Sequence, residues 1–392
     1  MRIAFVSDAY VPVPTGVAVS MLTLRRSLEK LGHTVYVLAP AYRGWKESDP
    51  KVARLPAIFR PFEKYTPWRW PTSSVSRQTI QNLKLDIVHG HFLFSFPSFP
   101  AKLARTAKAP LIQTFYRIFP EYAKYHLGFL QSPQASFQKA TIQTINFFNQ
   151  ADLVIALSRM SKRYLQGLGL AAPIEILPVG IFPKDFASLP PEAVREKFRI
   201  PAGAKVILSV VHLDEEDNLI FLLRTLKRVL KAIDEAYLII VGDGNKSRAY
   251  REVIASQPFG KYVKLTNYLP KAQLNRLYGA CDLFVYPGRL DPQPLVIIEA
   301  LAAGTPAVAV KGFGAQDFIN DNKDGYITGF NLEDFSDKII ELLRRDKMRL
   351  EFSQAARSNA RRFAANNAAK GLLDLYQTAL ENSRNSLNKW KS

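Results

Sequence analysis

The stretch "DPQPLVIIEALAAGTPAVAV", residues 291–310, joins an acidic start, a short apolar helix pattern and a buried strand pattern. Asp291 and Glu299 stand eight residues apart with two prolines between them, and the helix pattern leads to Gly304. Glycine is favoured just past a helix end because it adopts a positive φ at little steric cost. The apolar run that follows is typical of a strand buried on both faces of a parallel sheet. The stretch therefore predicts one helix-to-strand unit of an α/β fold.

Short apolar runs alternate with amphipathic helix patterns along the whole chain. Runs of this length and composition predict buried parallel strands joined by crossover helices. The predicted strands are RIAFVSD (2–8), TVYVLAP (34–40), DIVHGH (86–91), PLIQTF (110–115), LVIALS (153–158), IEILPVG (174–180), KVILSVV (205–211), AYLIIVGDG (236–244), VKLTNYL (263–269), DLFVYPG (282–288) and PAVAV (306–310). The sequence therefore predicts an α/β protein with two doubly wound Rossmann-like domains in series.

Prolines cluster and regular periodicity lapses in residues 179–193, which predicts the boundary between the two domains. We place the N-terminal domain at 1–183 and the C-terminal domain at 184–370. The pattern of residues 371–392 predicts a polar terminal helix, which we expect to pack back toward the N-terminal domain. Ligands of such sheets bind outside the carboxyl ends of the strands, so two sheets facing each other across a cleft would share one deep site.

The composition is that of an ordinary globular protein of 392 residues, 47% of them hydrophobic. The single cysteine, Cys281, excludes an internal disulfide framework and favours a reducing compartment. No signal peptide is visible, and no uncharged apolar run reaches the roughly 18 residues that a membrane span requires. We therefore expect a cytoplasmic protein that is soluble or peripheral on the inner face of the membrane.

The net charge predicts a polyanionic partner. The chain has 53 Lys and Arg against 34 Asp and Glu, a formal charge of +19. Nucleic acid, anionic lipid and a phosphorylated small substrate would all satisfy this charge. Nucleic acid is disfavoured, because the positive charge is interleaved with acids and no recognised binding module is present.

Aromatic and basic residues are concentrated between residues 42 and 85, with nine basic and three acidic side chains. Three of the four tryptophans lie there: Trp45, Trp68 and Trp70. Trp68, Arg69 and Trp70 have the composition that a bilayer headgroup zone favours, so we expect them to contact a membrane or a lipid acceptor. An irregular loop whose aromatic rings close over its own domain is the equal alternative.

Two strand-to-helix turns carry possible phosphate-binding glycines. Gly16 stands just before a helix pattern, where backbone N–H groups and the helix dipole can approach a phosphate. In VGDGNKS, residues 241–247, Ser247 replaces the third glycine of a dinucleotide fingerprint, which argues against a dehydrogenase. The sequence contains no Walker A motif, so a nucleoside triphosphatase has no support.

His89 and His91 are two residues apart on a predicted strand, and therefore share one face. A metal could be bridged there in principle, but no further Cys or His pattern accompanies them. We expect polar residues at a strand end facing the cleft, and no metal site.

Three segments resemble the family 4 retaining glycosyltransferases of GT-B fold, and within them the diacylglycerol glucosyltransferase-like branch. Residues 7–40, "SDAYVPVPTGVAVSMLTLRRSLEKLGHTVYVLAP", are similar to the family's opening, and residues 86–125 to its acceptor-side segment. Residues 291–328, "DPQPLVIIEALAAGTPAVAVKGFGAQDFINDNKDGYIT", resemble its donor-side signature. The resemblance spans nearly the whole chain.

The resemblance implies transfer of a sugar from a nucleotide donor, commonly a uridine diphosphate sugar, to an acceptor hydroxyl with retention of configuration. Together with the basic aromatic segment, it implies a lipid or membrane-associated glycan as acceptor, and the same segment makes an anionic membrane surface a possible further partner. It implies neither a cofactor nor a metal ion, so fixed cations and helix N-termini must take the charge of the departing diphosphate.

The donor-side signature implies roles for several residues. Glu299 matches the family's second acidic residue, expected to accept hydrogen bonds from the donor ribose, and Asp291 stands where the family has a sugar-contacting Glu. Gln293 matches the branch, whereas Pro294 replaces its glycine and lacks the N–H that a phosphate could use. The remaining N–H groups of the implied donor site belong to Gln293, Leu295 and Val296.

Other positions depart from the family pattern. His212 and Asp217 stand where the family has an Arg and a Lys that clamp the diphosphate. Tyr116 occupies the position of a histidine near the reacting sugar, and Phe182 replaces an expected Asp. Losing one preorganised electrostatic partner commonly costs about 3–4 kcal/mol of transition-state stabilisation, and reversing its charge should cost more.

Two functional interpretations remain open. In the first, the enzyme is active with rearranged chemistry: the diphosphate protonates His212, Arg289 or Lys311 supplies the missing cation, and Tyr116 hydrogen-bonds the sugar. The catalytic residues are then Asp291, Tyr116 and His212. In the second, the chain is a catalytically impaired pseudo-glycosyltransferase that acts as a binding or regulatory partner.

A purely structural interpretation applies to the same signature. Asp291 could be a helix N-cap before a proline at the first helical position, and Gly304 a plain C-cap. Glu299 would then be a residue of the helix surface.

Overall fold

The chain folds into two compact units. A computed structural model describes residues 1–13, 15–59, 67–69, 77–92, 98–118, 133–186, 191–213 and 218–389. The first unit comprises Met1–Gly180 together with Ala365–Ser392, and the second comprises Ile181–Ala364. No helix among the described residues is both long and apolar enough to cross a membrane.

The first unit contains a parallel sheet of seven strands within its described part. Its strands are β1 (Arg2–Ser7), β2 (Thr34–Pro40), β3 (Val52–Leu55), β6 (Ile87–Phe92), β7 (Leu111–Phe115), β8 (Leu153–Ala156) and β9 (Ile174–Ile176), and a separate antiparallel pair is formed by β4 (Ile58–Phe59) and β5 (Pro67–Arg69). Its helices are α1 (Gly16–Lys30), α2 (Arg77–Asn82), α3 (Phe99–Ala107), α4 (Pro133–Phe148), α5 (Arg159–Gly167) and, at the end of the chain, α14 (Ala365–Lys389). The spatial order of the sheet is β3-β2-β1-β6-β7-β8-β9.

The second unit contains a parallel sheet of six strands in the order β12-β11-β10-β13-β14-β15. Its strands are β10 (Lys205–Val210), β11 (Ala236–Val241), β12 (Val263–Thr266), β13 (Leu283–Tyr286), β14 (Ala307–Val310) and β15 (Gly325–Thr328). Its helices are α6 (Pro191–Phe198), α7 (Leu219–Val229), α8 (Ser247–Ser256), α9 (Lys271–Tyr278), α10 (Leu295–Ala303), α11 (Ala315–Phe318), α12 (Leu332–Arg344) and α13 (Asp346–Ala360).

Both sheets have the strand order of a Rossmann fold, in which the third, second and first strands precede the fourth and those after it. The central strands are buried apolar runs because helices cover both faces of a parallel sheet. The order reverses between β1 and β6 in the first unit and between β10 and β13 in the second. Ligands of such sheets bind at the carboxyl ends of the strands beside this reversal. The fold thus confirms the predicted α/β class with two Rossmann-like domains.

Each of the eleven predicted strand segments overlaps an observed strand, whereas the edge strands β3 and β15 and the separate pair β4 and β5 were not predicted. In β3, Ala53 is exposed and Arg54 is half-buried, so the segment carries no apolar run. The strand β15 has only four residues and begins with a glycine. Short edge strands give weak periodicity, and their pairing depends on partners that are distant in sequence.

The units divide at positions that differ from the predicted boundaries after residues 183 and 370. The first division falls after Gly180 because Ile181 pairs with Ala364, and its N–H donates to the Phe363 carbonyl 2.8 Å away. The second division falls after Ala364, so residues 365–370 belong to the first unit. Helix α14 packs on α1 within that unit.

Candidate functional site

Glu299 is a buried carboxylate in the middle of α10, with 3% of its surface exposed. Lys271 Nζ donates to its Oε1 in an ion pair, and the Tyr278 hydroxyl donates to its Oε2 over 2.9 Å. Burial, together with the adjacent carboxylate, holds the pKa of Tyr278 well above its ordinary value, so the hydroxyl stays protonated and keeps donating. Both carboxylate oxygens are therefore fixed from helix α9, which excludes the interpretation of Glu299 as a residue of the helix surface.

The end of α10 follows the sequence prediction. Gly304 is the C-cap with φ +83°, and its N–H donates to the Leu301 carbonyl. An added Cβ would lie 2.4 Å from Nε of Arg357, so this position combines a left-handed backbone with close packing.

The start of α10 differs from the prediction. The helix begins at Leu295 with Pro294 as its N-cap, so Asp291 is not the N-cap. Asp291 is exposed and its Oδ1 accepts a hydrogen bond from the Gln293 backbone N–H at 2.8 Å. The Gln293 N–H, predicted to face a phosphate, is thus engaged by a carboxylate. Leu295 and Val296 are the first two helical residues, whose N–H groups an α-helix leaves without intrahelical acceptors.

Two glycines pack closely against the loop that precedes α10. An added Cβ at Gly312 would lie 2.4 Å from the Arg289 carbonyl oxygen, and one at Gly314 would lie 2.5 Å from that of Pro292. The Phe313 N–H donates to the same Arg289 carbonyl over 2.9 Å. The loops after β13 and β14 therefore pack backbone against backbone, a constraint that the sequence analysis did not identify.

The two candidate cations of this region have different surroundings. The Arg289 guanidinium is exposed and lies over the ring of Phe330, 5.1 Å from its centre, and Phe330 in turn stacks on Phe221. Lys311 is exposed just after β14, and its backbone N–H donates to the Thr328 carbonyl. Arg289 thus packs against an aromatic ring, whereas Lys311 is exposed to solvent.

His212 follows β10 at the strand-order reversal of the second sheet. Its Nδ1 and the Tyr268 hydroxyl are hydrogen-bonded at 2.6 Å, and this hydroxyl also lies 3.4 Å from the Asp243 carbonyl. The loops after β10 and β11 are in close contact, since a Cβ at Gly242 would lie 1.8 Å from the Val211 carbonyl oxygen. The glycines of VGDGNKS therefore have a packing role. Asp217 lies outside the described residues.

In the first unit, Gly16 is exposed and is the first residue of α1. The helix is capped by Thr15, whose hydroxyl oxygen accepts the Ala18 N–H at 3.2 Å. An added Cβ at Gly16 would meet nothing within 4 Å, so open space surrounds this helix start.

Tyr116 is buried just after β7, and its hydroxyl lies 2.9 Å from Nδ1 of His91. His89 and His91 lie in the second half of β6, near the predicted strand end, and both are fully buried. Nδ1 of His89 pairs with the Tyr376 hydroxyl and Nε2 with Oγ1 of Thr114, each at 2.7 Å. Burial lowers the pKa of His91 to about 3 and that of His89 well below its ordinary value, so both rings are neutral.

The remaining predicted residues lie elsewhere. Phe182 is half-buried and precedes the short 3-10 helix Pro183–Asp185 in the second unit. Trp68 and Arg69 lie in β5, and Trp70 lies outside the described residues.

Four residues that hydrogen-bond the predicted ones were not predicted from the sequence: Lys271, Tyr278, Tyr268 and Tyr376. Lys271 and Tyr278 are two turns apart on α9, a spacing that places them on one face. The sequence pattern of α9 can predict that Lys271 and Tyr278 share a face. It cannot predict that this face packs against Glu299. Tyr376 is 287 residues from His89, a separation that no local pattern bridges.

Comparisons with known families match both units in turn. Residues 14–184 match the family model described as Glycosyltransferase Family 4, and residues 191–359 match the one described as Glycosyl transferases group 1.

The chain is also similar to named relatives along its length. It is 26% identical to the alpha-monoglucosyldiacylglycerol synthase of Acholeplasma laidlawii, over 99% of this chain and 100% of that protein. It is 27% identical to the protein of the same name from Streptococcus pneumoniae (strain ATCC BAA-255 / R6), over 88% of this chain and 78% of that one. Its fold matches the sucrose-phosphate synthase structure from Thermosynechococcus elongatus with a TM-score of 0.77 at 18% identity, over 97% and 99% of the two chains.

Proposed function

Because the chain belongs to the glycosyltransferases of GT-B fold, with a family 4 domain followed by a group 1 domain, we propose that it transfers a sugar from a uridine diphosphate donor to a lipid or membrane-associated glycan acceptor. The configuration at the anomeric carbon is retained, and neither a metal ion nor a cofactor takes part.

One observation supports the proposed class of acceptor. The match to the Acholeplasma laidlawii protein covers both chains almost completely, and the name of that protein states a glucosylated diacylglycerol as product. The Streptococcus pneumoniae relative bears the same name. A shared domain pair over the full length supports a shared class of acceptor, and diacylglycerol is the first acceptor to test.

The geometry around Glu299 supports a donor site in the second unit. A carboxylate has about four lone-pair positions, and Lys271 and Tyr278 use two of them. The others can accept hydrogen bonds from the two ribose hydroxyls of a nucleotide. The ion pair also compensates the charge of the buried carboxylate, so a nucleotide does not have to supply that compensation.

The diphosphate of the donor needs positive or N–H partners in the absence of the family's Arg and Lys. We propose that the Leu295 and Val296 N–H groups receive it at the start of α10, with Lys311 as its cation. His212 is oriented by its hydrogen bond to Tyr268. It is the further partner of the diphosphate, at the carboxyl end of β10. Asp291 accepts a hydrogen bond from the Gln293 backbone N–H and thereby stabilises the conformation of the loop before α10.

The donor is tested by binding and turnover with one panel. Purified protein is titrated calorimetrically with UDP-glucose, UDP-galactose, UDP-N-acetylglucosamine and GDP-mannose, and each donor is then assayed with diacylglycerol in anionic vesicles. We expect binding and glycolipid formation with a uridine donor, and an α-linked product from an α-linked donor by NMR.

Glu299→Gln is expected to weaken donor binding about 10-fold or more, since a charged acceptor of hydrogen bonds is lost. Glu252→Gln, an exposed residue of the same unit, is the matched control. Binding of GDP-mannose alone would overturn the uridine assignment. Donor binding without turnover over the whole acceptor panel would favour the catalytically impaired alternative.

A further inference from the structure

A continuous chain of buried hydrogen bonds runs through the first unit from α14 to the end of β6. The Tyr376 hydroxyl meets Nδ1 of His89, and Nε2 of His89 meets Oγ1 of Thr114. Thr114 also hydrogen-bonds the side chain of Tyr116, whose hydroxyl meets Nδ1 of His91. Each of the five residues in this chain is at least nine-tenths buried.

The chain ends at an atom that has no partner in the described part of the protein. Nε2 of His91 is buried and makes no hydrogen bond to the described residues. By contrast, both ring nitrogens of the neighbouring His89 are hydrogen-bonded, although the two rings lie only 4.0 Å apart. A buried polar atom without a partner costs free energy unless a bound molecule satisfies it.

The position of this atom favours a substrate as the missing partner. His91 is the last residue but one of β6 and pairs with Ser7 at the end of β1. These are the two strands between which the order of the sheet reverses, and ligands of Rossmann-like sheets bind at that point.

The chain of hydrogen bonds couples the tautomers of His89 and His91, because the direction of one bond decides the direction of the next. If Tyr376 donates to His89, then His89 donates to Thr114, Thr114 to Tyr116 and Tyr116 to His91. His89, Thr114 and Tyr116 then each accept once and donate once, and the proton of His91 is left on Nε2. We propose that this Nε2–H of His91 donates a hydrogen bond to an oxygen atom of a bound substrate, and that Tyr376 is a positioning residue that holds the tautomer.

This inference rests on the proposed transfer reaction and assigns to it a group that the resemblance does not. Tyr116 stands where the family has a histidine, and the structure connects Tyr116 directly to another imidazole. The polar group offered to the substrate is then His91, and Tyr116 acts through it.

Two substitutions at His91 separate its nitrogens. A glutamine places its amide nitrogen close to the position of Nε2, whereas an asparagine places it close to Nδ1. With UDP-glucose and diacylglycerol vesicles, we expect His91→Asn to lower kcat about 10- to 100-fold and His91→Gln to retain most activity, as for one lost hydrogen bond to substrate. Equal activities, or a more active asparagine variant, would overturn the proposal, because His91 would then only support Tyr116.

Tyr376→Phe tests the far end of the chain without altering either histidine. We expect kcat to fall several-fold while the affinity for UDP, measured by calorimetry, is unchanged. Tyr36→Phe is the control, because it removes a tyrosine hydroxyl bonded to Arg2 in the same unit but outside the chain. Equal kcat in the two variants would overturn the positioning role.

A direct readout distinguishes failure of this inference from failure of the proposed function. The protein contains five histidines, so selective ¹⁵N labelling resolves the ring of His91 by comparison with His91→Gln. UDP-glucose and dioctanoylglycerol are added separately, to show whether donor or acceptor supplies the oxygen. A shift of the His91 Nε2 resonance with either one supports the inference, and no shift with both together overturns it. Absence of any glycolipid product bears on the proposed function instead.

Discussion

At the residue scale, the candidate donor site depends on one buried carboxylate with two partners. Glu299 is tolerated inside the second unit because an ammonium and a hydroxyl satisfy its two oxygens. The Lys271 side chain is 46% exposed, so it reaches from solvent to a carboxylate that is 4% exposed. Removing either Lys271 or Glu299 alone leaves the other side chain without its ionic partner. The losses in free energy of unfolding from the two substitutions should therefore not add.

A double-mutant cycle measures this coupling. We expect Lys271→Met to lower the free energy of unfolding by about 1–3 kcal/mol, because a buried carboxylate loses its charged donor. In Glu299→Gln the same lysine substitution should cost less, which gives a coupling energy of about 1 kcal/mol or more in urea denaturation. The exposed pair Lys205 and Asp346 is the control in the same unit, with an expected coupling of about 0.5 kcal/mol or less. Additive effects at Lys271 and Glu299 would contradict the ion pair.

At the element scale, the sequence predicted what local patterns encode. The strand of residues 306–310 and the C-cap at Gly304 were predicted because apolar runs and glycine positions act within a few residues. The N-cap at Asp291 was wrong because the helix starts four residues later, at Leu295, with Pro294 as its N-cap.

The sequence could not predict contacts that join distant elements. The roles of Gly312 and Gly314 depend on the loop after β13 lying against them, and the pairing of His89 with Tyr376 depends on α14 returning to the first unit. Of the candidate site, the position of Glu299 was predictable and its partners were not. The burial of His91 was likewise not predictable, because a strand-end histidine can face either solvent or neighbouring helices.

The packing of the two loops can be tested at one glycine. In Gly314→Ala the new Cβ would lie 2.5 Å from the Pro292 carbonyl oxygen and 2.7 Å from the Pro294 ring, so the loop before α10 must shift. We expect a loss of about 1–3 kcal/mol in the free energy of unfolding, as for other overpacked sites, and weaker UDP binding. Gly329→Ala is the control, because its Cβ would meet nothing within 4 Å. Unchanged UDP binding in Gly314→Ala would mean that this loop does not shape the donor site.

At the scale of the whole molecule, the charge of +19 and the proposed lipid acceptor favour the same surface chemistry. Each Lys or Arg close to an anionic bilayer contributes about 1 kcal/mol, and aromatic side chains add affinity in the headgroup zone. Between residues 42 and 85 both kinds of side chain are concentrated. Trp45 lies within this segment and is 44% exposed.

Liposome flotation tests whether this charge serves membrane binding. We expect the protein to float with vesicles that contain anionic lipid, to remain behind with neutral vesicles, and to be released as salt rises from 0.05 to about 0.5 M, because screening weakens contacts between exposed charges. The double variant Trp68→Ala, Trp70→Ala should bind anionic vesicles more weakly while its affinity for UDP is unchanged. If neither lipid charge nor the two tryptophans matter, the segment 42–85 closes over its own domain. The enzyme would then have to reach its acceptor through another surface.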